Sequence, residues 1–400
     1  MPHSSLILIA NVGSSSLKFT AFLGEQVVFQ AYTDSSVGHN DEGECSMFDS
    51  AGVLTTFAIP QNSSGDDALL NWIVDSLYRQ FPGSQVNAVG HRIVHGGSLF
   101  SSPVIITPEI LLNLGGLIPL SPLHQRRALS IVTMLRKLLP DTTHIACFDT
   151  SFHSTLPRHE QMLGLPSAYF EKGIRRYGFH GLSYESIGSQ LGQISERAES
   201  GRTVVCHLGS GSSLCGLLAG NSVSTSMGFT PLDGVMMATR SGSIDPGVIL
   251  YLLQSERFTA EKIEDLLSNE SGLLGVSGIS SDVRVLLNSS AQSADEAIQL
   301  YCYRIAKEIA ATACSLRGID ALVFTGGIGE NSPVIRQRIC EQLEWMGVLL
   351  DPGVNKTNGP LLHHRNSQVV VLRIPSNENA VILKHAQSLL ASPHTESKVH

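Results

Sequence analysis

A strand–turn–strand pattern occurs twice in this chain and constrains its fold more than any other feature. The first copy is the apolar run Leu6-Ile7-Leu8-Ile9-Ala10, the turn Asn11-Val12-Gly13-Ser14-Ser15-Ser16, and a second, mostly apolar run over 17–23. The second copy is Val204-Val205-Cys206-His207-Leu208, then Gly209-Ser210-Gly211-Ser212-Ser213, then Leu214-Cys215-Gly216-Leu217-Leu218. Gly/Ser turns join hairpins of every kind, so one alone is ordinary punctuation. A turn without bulk also exposes backbone N–H groups and hydroxyls that suit a phosphate chain. Two copies far apart point to two similar domains that grip one polyphosphate. A third loop, Thr325-Gly326-Gly327-Ile328-Gly329-Glu330-Asn331, follows the strand-like Ala321-Leu322-Val323-Phe324 and strengthens that reading. The pattern G-x-x-x-x-G-K-[ST] occurs nowhere in the chain, which disfavours a P-loop NTPase.

Length and composition narrow the class. A chain of 400 residues corresponds to two or three domains. Hydrophobic content of 42% and 37 glycines fit a compact, loop-rich α/β enzyme. A net charge of −8 without a long basic run argues against nucleic acid as a partner. The seven cysteines are scattered, odd in number and without C-x-x-C, which reads as reduced thiols of a cytoplasmic protein. The N-terminal apolar run is too short and lacks the basic flank of a signal peptide, and no run reaches membrane-spanning length.

Apolar spacing predicts a helix over 66–81 stopped by Pro82-Gly83, a strand over 86–94, a helix over 129–139 and a strand over 144–148. A longer helix is expected over 294–317, with Ser293 and Glu296 as a capping box and Gly318 as the stop, followed by a strand over 319–324. The stretch 30–62 reads as further strands of the first sheet, and 391–400 as a frayed polar tail. The domain boundary falls near residue 150, placed by the motifs because no linker marks it.

Between the phosphate loops lie segments that set polar or ionisable residues beside glycine at the ends of apolar stretches. They are Gly90-His91-Arg92-Ile93-Val94-His95-Gly96-Gly97, Pro122-Leu123-His124, Phe148-Asp149-Thr150-Ser151-Phe152-His153, Arg175-Arg176-Tyr177-Gly178-Phe179-His180-Gly181, Ser226-Met227-Gly228-Phe229-Thr230-Pro231-Leu232 and Thr239-Arg240-Ser241-Gly242. Charged groups so placed line a cleft more readily than they decorate a surface.

On these motifs, and on 11–18, 225–232 and 271–278, the chain resembles the acetate kinases from residue 6 to about residue 390. That family is the acetokinase branch of the sugar-kinase, actin and heat-shock ATPase superfamily. The resemblance implies an α/β fold of two similar ribonuclease-H-like domains, each a mixed β-sheet flanked by helices, with the active-site cleft between them. It implies an N-terminal acetokinase domain over 1–152 and a nucleotide-binding and dimerisation domain over 153–379, with a C-terminal helix at about 380–400 packing back on the first. The implied reaction is Mg²⁺-dependent, reversible phosphoryl transfer from ATP to acetate, giving acetyl phosphate and ADP. Mn²⁺ is an alternative metal, and the implied state is a cytoplasmic homodimer with no nucleic-acid or membrane partner.

The resemblance assigns residues to roles. Asn11, Ser14, Ser16 and Lys18 match the first phosphate loop, and Gly209, Ser210 and Gly211 match the second. Arg92 and Arg240 match the arginines that hold the carboxylate and the transferring phosphoryl group, Asp149 the aspartate near the reacting carboxyl, and His180 the histidine that bonds the phosphoryl group in flight. His124 and His207 match further histidines of the cleft, and Asn11 and Glu378 the residues associated with Mg²⁺. Val94, Leu123, Phe179 and Pro231 match the small apolar pocket for the methyl group. Asp282, Val283 and Arg284 match adenosine contacts, and Gly327, Ile328, Gly329 and Asn331 the adenine-side loop.

The chemistry agrees with this set. Joining two anionic reactants needs cationic clamps and a metal. Arginine holds carboxylate or phosphate with two parallel bonds and stays charged. Acetate is already ionised at neutral pH, so Asp149 is read as a metal or orientation group and not as a general base. His91, His95 and His153 are read as structural, and Glu330 as a solvated helix start or a ligand group. The chain departs from the family pattern at Ser210, where asparagine is usual, at Gln125-Arg126-Arg127, at Leu182-Ser183-Tyr184 and at Ser224. A propionate or butyrate kinase, an actin- or chaperone-like ATPase, and a catalytically weak nucleotide-binding regulator are the alternative readings.

Overall fold

The computed structural model describes residues 5–13, 16–34, 44–48, 53–58 and 66–391. The chain divides into two compact units, Met1–Ser151 with Asn377–His400, and Phe152–Ser376.

The first unit is built on one sheet of β1 (Ser5–Val12), β2 (Ser16–Leu23), β3 (Gln26–Asp34), β4 (Glu44–Phe48), β5 (Leu54–Ala58), β6 (Gln85–Ile93), β7 (Val104–Ile105) and β8 (Thr143–Phe148). Their order among the described residues is β5-β4-β3-β2-β1-β6-β8-β7. Strands β1 to β5 form an antiparallel meander. Strand β6 runs parallel to β1 and β8 parallel to β6, with β7 as an antiparallel edge. The uninterrupted apolar run of β1 follows from this central place, where both faces are covered. Parallel neighbours need crossovers, and helices supply them: Asp66–Gln80 before β6, Pro108–Gly116 and Pro122–Leu138 before β8. Helix Asp66–Gln80 buries Leu69, Leu70, Ile73, Val74 and Leu77, which join Leu8, Phe19, Phe29 and Leu135 in one core. The helix expected over 129–139 therefore begins earlier, at Pro122, where a proline at the first turn costs no hydrogen bond.

Helix Glu378–Ala391 returns to this unit and packs on β1 and β6. Gly90 on β6 permits the approach, since a Cβ there would lie 2.5 Å from Cγ2 of Ile382. The packing fixes where Glu378, its first residue, is held.

The second unit holds β9 (Arg202–Leu208), β10 (Ser212–Leu218), β11 (Asn221–Thr225), β12 (Ala321–Thr325) and β13 (Val370–Arg373) in the order β11-β10-β9-β12-β13. Antiparallel pairs join β9, β10 and β11, while β12 runs parallel to β9 and β13 to β12. This is the order and sense of β3-β2-β1-β6-β8, so the repeated hairpin marks the start of two equivalent sheets. Helix Gln292–Ser315 supplies much of the core, through Ile298, Tyr301, Ile305 and Ile309.

Two local expectations are corrected. The capping box does not form, because Ser293 lies inside the helix and donates to the Ser277 carbonyl at 2.8 Å, while Glu296 accepts from Gln292 one turn earlier. The expected stop does hold, with Gly318 at φ 137° and its N–H on the Ala313 carbonyl. The loop expected after β12 is instead the short helix Gly326–Asn331. No helix among the described residues is long and apolar enough to cross a membrane.

Candidate active site

In the first unit, the parallel strands place three polar side chains together at their carboxyl ends. Asn11 is the last residue but one of β1, Arg92 lies near the end of β6, and Asp149 follows β8 directly. Ligands of α/β sheets bind at this end of the strands. The fourth member, Glu378, arrives on the returning helix. Arg92 donates from Nε to both carboxylate oxygens of Asp149 at 3.1 Å, and from Nη2 to Oδ2 at 2.7 Å. Its Nη1 donates to Oδ1 of Asn11 at 3.1 Å and lies 3.3 Å from Oε2 of Glu378. Asn11 closes the ring by donating to that same Glu378 oxygen at 2.9 Å. Burial disfavours the guanidinium charge, but Asp149 and Glu378 outweigh it and hold the Arg92 pKa above its ordinary value. Burial pushes the Asp149 carboxyl up and Glu378 adds to this, against the pull of Arg92. The result is a fixed cationic fork whose direction Asp149 sets.

Other first-unit residues take separate places. Lys18, opposite Asn11 on β2, extends over the Tyr32 ring. Val94 is buried just beyond β6. Ser14 lies outside the described residues, as do the side chains of Ser16 and Leu123. Two residues from the stretch that departs from the family pattern are structural supports that spacing did not reveal. Gln125 is fully buried and pairs with the His95 backbone, accepting its N–H at 3.2 Å and donating to its carbonyl at 3.0 Å. Arg127 donates to the Gly13 carbonyl at 3.4 Å, next to the first phosphate turn.

In the second unit, the hairpin β9–β10 sets His207 opposite Ser213 across the turn of Gly209, Ser210 and Gly211. His180 stands at the start of helix Gly181–Ile194 in the left-handed conformation, φ 58° and ψ 24°. A non-glycine residue held there carries about 1–2 kcal/mol of strain, of the kind that gathers at functional sites. Its Nδ1 lies 2.8 Å from Oγ of Ser213, and its ring stacks on His207 with centroids 4.3 Å apart. His207 in turn bonds Oγ of Ser183 at 2.8 Å. A Cβ on Gly211 would lie 3.3 Å from His180 Nε2 and 3.6 Å from Arg240 Nη1, so one side of this turn faces both groups. Arg240 donates to the Pro231 carbonyl at 3.2 Å, and burial lowers its pKa. Phe179 is buried, with its carbonyl on His153.

The residues matched to adenosine contacts divide. Asp282 caps the short helix Val283–Leu287 and forks with Arg284, whose side chain is exposed. The Val283 side chain is in the core, which leaves only its backbone for a ligand. Gly327, Ile328, Gly329 and Asn331 form the helix Gly326–Asn331. Glu330 is half-buried, and its Oε1 ties the helix start together by accepting from Thr325 Oγ1, from the Gly326 N–H at 2.9 Å and from the Ser376 N–H. The fully buried Arg336 braces the same helix from its other end, through the carbonyls of Gly329 and Glu330.

The histidines read as structural are deeply buried. His153 bonds Oγ of Ser222 at 2.8 Å and the Phe179 carbonyl at 2.9 Å, and burial lowers its pKa to about 4. His91 and His144 face each other at 2.9 Å between β6 and β8, and burial lowers both.

The family model of the acetokinase family matches residues 6–384. The chain is 45% identical over 404 residues to an acetate kinase of Rhodopseudomonas palustris strain TIE-1, covering 96% of this chain and 98% of that one. A solved acetate kinase of Porphyromonas gingivalis is 33% identical with a TM-score of 0.85, covering 96% of this chain and all of the other. A solved propionate kinase of Francisella tularensis is 30% identical with the same TM-score of 0.85, over 95% and 98% of the two chains.

Proposed function

The chain belongs to the acetokinase family, and from that premise we propose that it is an acetate kinase, moving the γ-phosphoryl group of ATP reversibly onto the carboxylate of acetate. The observation that carries this reading is the Arg92, Asp149, Asn11 and Glu378 ring at the carboxyl ends of β1, β6 and β8.

An acetate oxygen attacks the γ-phosphorus, the bond to the ADP oxygen breaks, and ADP leaves with that electron pair. Acetate needs no base, because it is already ionised. Arg92, held by Asp149, Asn11 and Glu378, sets a positive charge beside the substrate and so offsets the repulsion between two anions. Asp149 acts as the orientation group. Arg240 and His180, beside the second phosphate turn, donate to the transferring phosphoryl oxygens. The reaction requires both sets of residues to act on the same phosphoryl group.

The oxygens of Asn11, Asp149 and Glu378 fit Mg²⁺ in kind, being hard donors that include carboxylates, and Mn²⁺ would be accepted on the same grounds. Mg²⁺ takes few protein ligands and keeps waters and phosphate oxygens, so a small donor set suffices. Asn11 and Glu378 would hold the ion, which would offset the negative charge of the phosphates. The unpatterned cysteines support a cytoplasmic location. A homodimer is supported by helix Pro246–Gln254, which buries none of its residues and exposes Val248, Leu250, Tyr251 and Leu253.

The test is ³¹P NMR of the protein with MgATP and acetate. An acyl phosphate resonance should grow with ADP and fail to form when Mg²⁺ is chelated. Release of inorganic phosphate alone, independent of acetate, would replace this reading with an ATPase. The equal structural similarity to a propionate kinase favours propionate as the second candidate acceptor.

A further inference from the structure

Two residues on one helix meet at a single hydroxyl. His180 and Tyr184 are four positions apart at the start of helix Gly181–Ile194 and share a face. His180 Nδ1 lies 2.8 Å from Oγ of Ser213, and the Tyr184 hydroxyl makes a short hydrogen bond to that same oxygen. Tyr184 and Ser213 are both fully buried, at 0% exposure. The Tyr184 ring is packed against Phe152 and His153.

The proton count of this trio is determined. A buried phenol must place its proton on an acceptor, since an unmade bond there costs about 1–3 kcal/mol. Among the described residues the Tyr184 hydroxyl hydrogen-bonds to Ser213, and no second acceptor for it is present there, so it donates to Oγ. Burial raises the pKa of this phenol well above its ordinary value, so the proton stays. Ser213 then has one hydrogen of its own, and its remaining partner is Nδ1 of His180. A serine that donates to Nδ1 requires that nitrogen to be unprotonated. The neutral ring therefore carries its hydrogen on Nε2, the atom that faces Gly211 of the phosphate turn. The opposite arrangement, with His180 donating to Ser213 and Ser213 to Tyr184, would leave the phenol hydrogen buried without an acceptor.

We propose that Tyr184, acting through Ser213, is a positioning residue that holds His180 in the Nε2–H form and so aims a neutral donor at the phosphoryl group. This rests on the role given to His180 above. A neutral donor suits the step, because it stabilises phosphoryl oxygens without adding a permanent charge that would hold ADP in the site.

The experiment has two readouts on the full-length protein. The first is ¹⁵N NMR of histidine-labelled, ligand-free protein, which reports the His180 tautomer without reference to any reaction. The second is steady-state kinetics with MgATP and acetate. Wild type should show His180 as Nε2–H. Tyr184→Phe keeps the ring in its packing and removes only the hydroxyl. It should give a mixture of tautomers and lower kcat roughly three- to tenfold, with KM for acetate within about twofold. Ser213→Ala should disturb the tautomer in the same direction, and Ser213→Thr, which keeps a hydroxyl, should restore it. These variants carry the test if Tyr184→Phe does not fold. A wild-type His180 protonated on Nδ1, or a Tyr184→Phe protein with unchanged tautomer and kcat, overturns the proposal. A wild type with the stated tautomer and no acyl phosphate product would overturn the catalytic purpose given to the relay, while the NMR result would show its geometry to be right.

Discussion

Arg92 is held by two carboxylates and an amide, so removing it has two separable effects. Arg92→Ala takes away a donor aimed at the reacting anions and should lower kcat by about a hundredfold or more. It also strands Asp149, buried beside Glu378, and should cost about 3–5 kcal/mol in urea unfolding. Arg240 has a different setting: it donates to the Pro231 carbonyl, and burial lowers its pKa, so its charge is held at a cost to folding. Arg240→Ala should therefore show a comparable loss of kcat with a smaller loss of stability. Lysine at either position should recover only part of the rate, because it has charge without the fork. Equal stability losses in the two alanine variants, or near-normal turnover in both, would contradict these roles. At this scale the sequence was informative where a residue type is rare in its surroundings, as with Arg92 between glycines and apolar residues. It gave no role to Ser213, Ser183 and Tyr184, whose importance lies in which neighbour they meet and not in what they are. The register of β9 against β10 was the available clue, since it sets Ser213 opposite His207.

The elements around the site are pinned by buried neutral histidines, and this makes the fold acid-sensitive. Burial lowers His95, His144 and His153 from ordinary values to about 4. Between pH 4 and 6.5 the unfolded chain holds these protons and the native chain does not, so stability rises with pH through that window and is lost on acidification. His153→Gln should reduce the slope of unfolding free energy against pH there by up to about one proton. The measurement is urea unfolding across that range, and an unchanged slope would mean that His153 is charged in the native state. The second phosphate turn offers another check. Ser210 is exposed and holds Ala238 only through its carbonyl. Ser210→Asn should leave the fold intact and tighten ATP binding modestly, read by calorimetry; weaker binding would place that side chain away from the phosphates. Helices and strands were legible wherever periodicity is local, as in Asp66–Gln80. The capping box failed because Ser293 has a better partner in Ser277, a contact that local spacing does not encode. The helix Gly326–Asn331 was hidden by its glycines, whose poor propensity is overridden by Glu330 and Arg336 at its two ends.

At the scale of the whole chain, the duplicated hairpin pointed to two similar domains, and the two sheets share one strand order from that hairpin onward. What spacing could not supply is the pairing of Asn11 with Glu378 from opposite ends of the chain; only the family resemblance had promoted that glutamate. The apolar helix Pro246–Gln254 carries the oligomeric prediction. Leu250→Glu with Tyr251→Glu should convert a dimer to a monomer in light scattering, and a wild-type monomer would remove that helix from any interface. The identity of the acceptor follows from the size of its pocket. Val94 is the buried, branched residue beside Arg92, and a small apolar pocket rejects one extra methylene by only about 1–3 kcal/mol. Propionate should thus be a poorer but measurable substrate and butyrate poorer still. The most direct test traps the acyl phosphate with hydroxylamine and compares kcat/KM for acetate, propionate and butyrate with MgATP as donor. The expected order is acetate, propionate, butyrate; a higher kcat/KM for propionate would make propionate the acceptor, and no trapped product with any acid would rule out acyl phosphate formation.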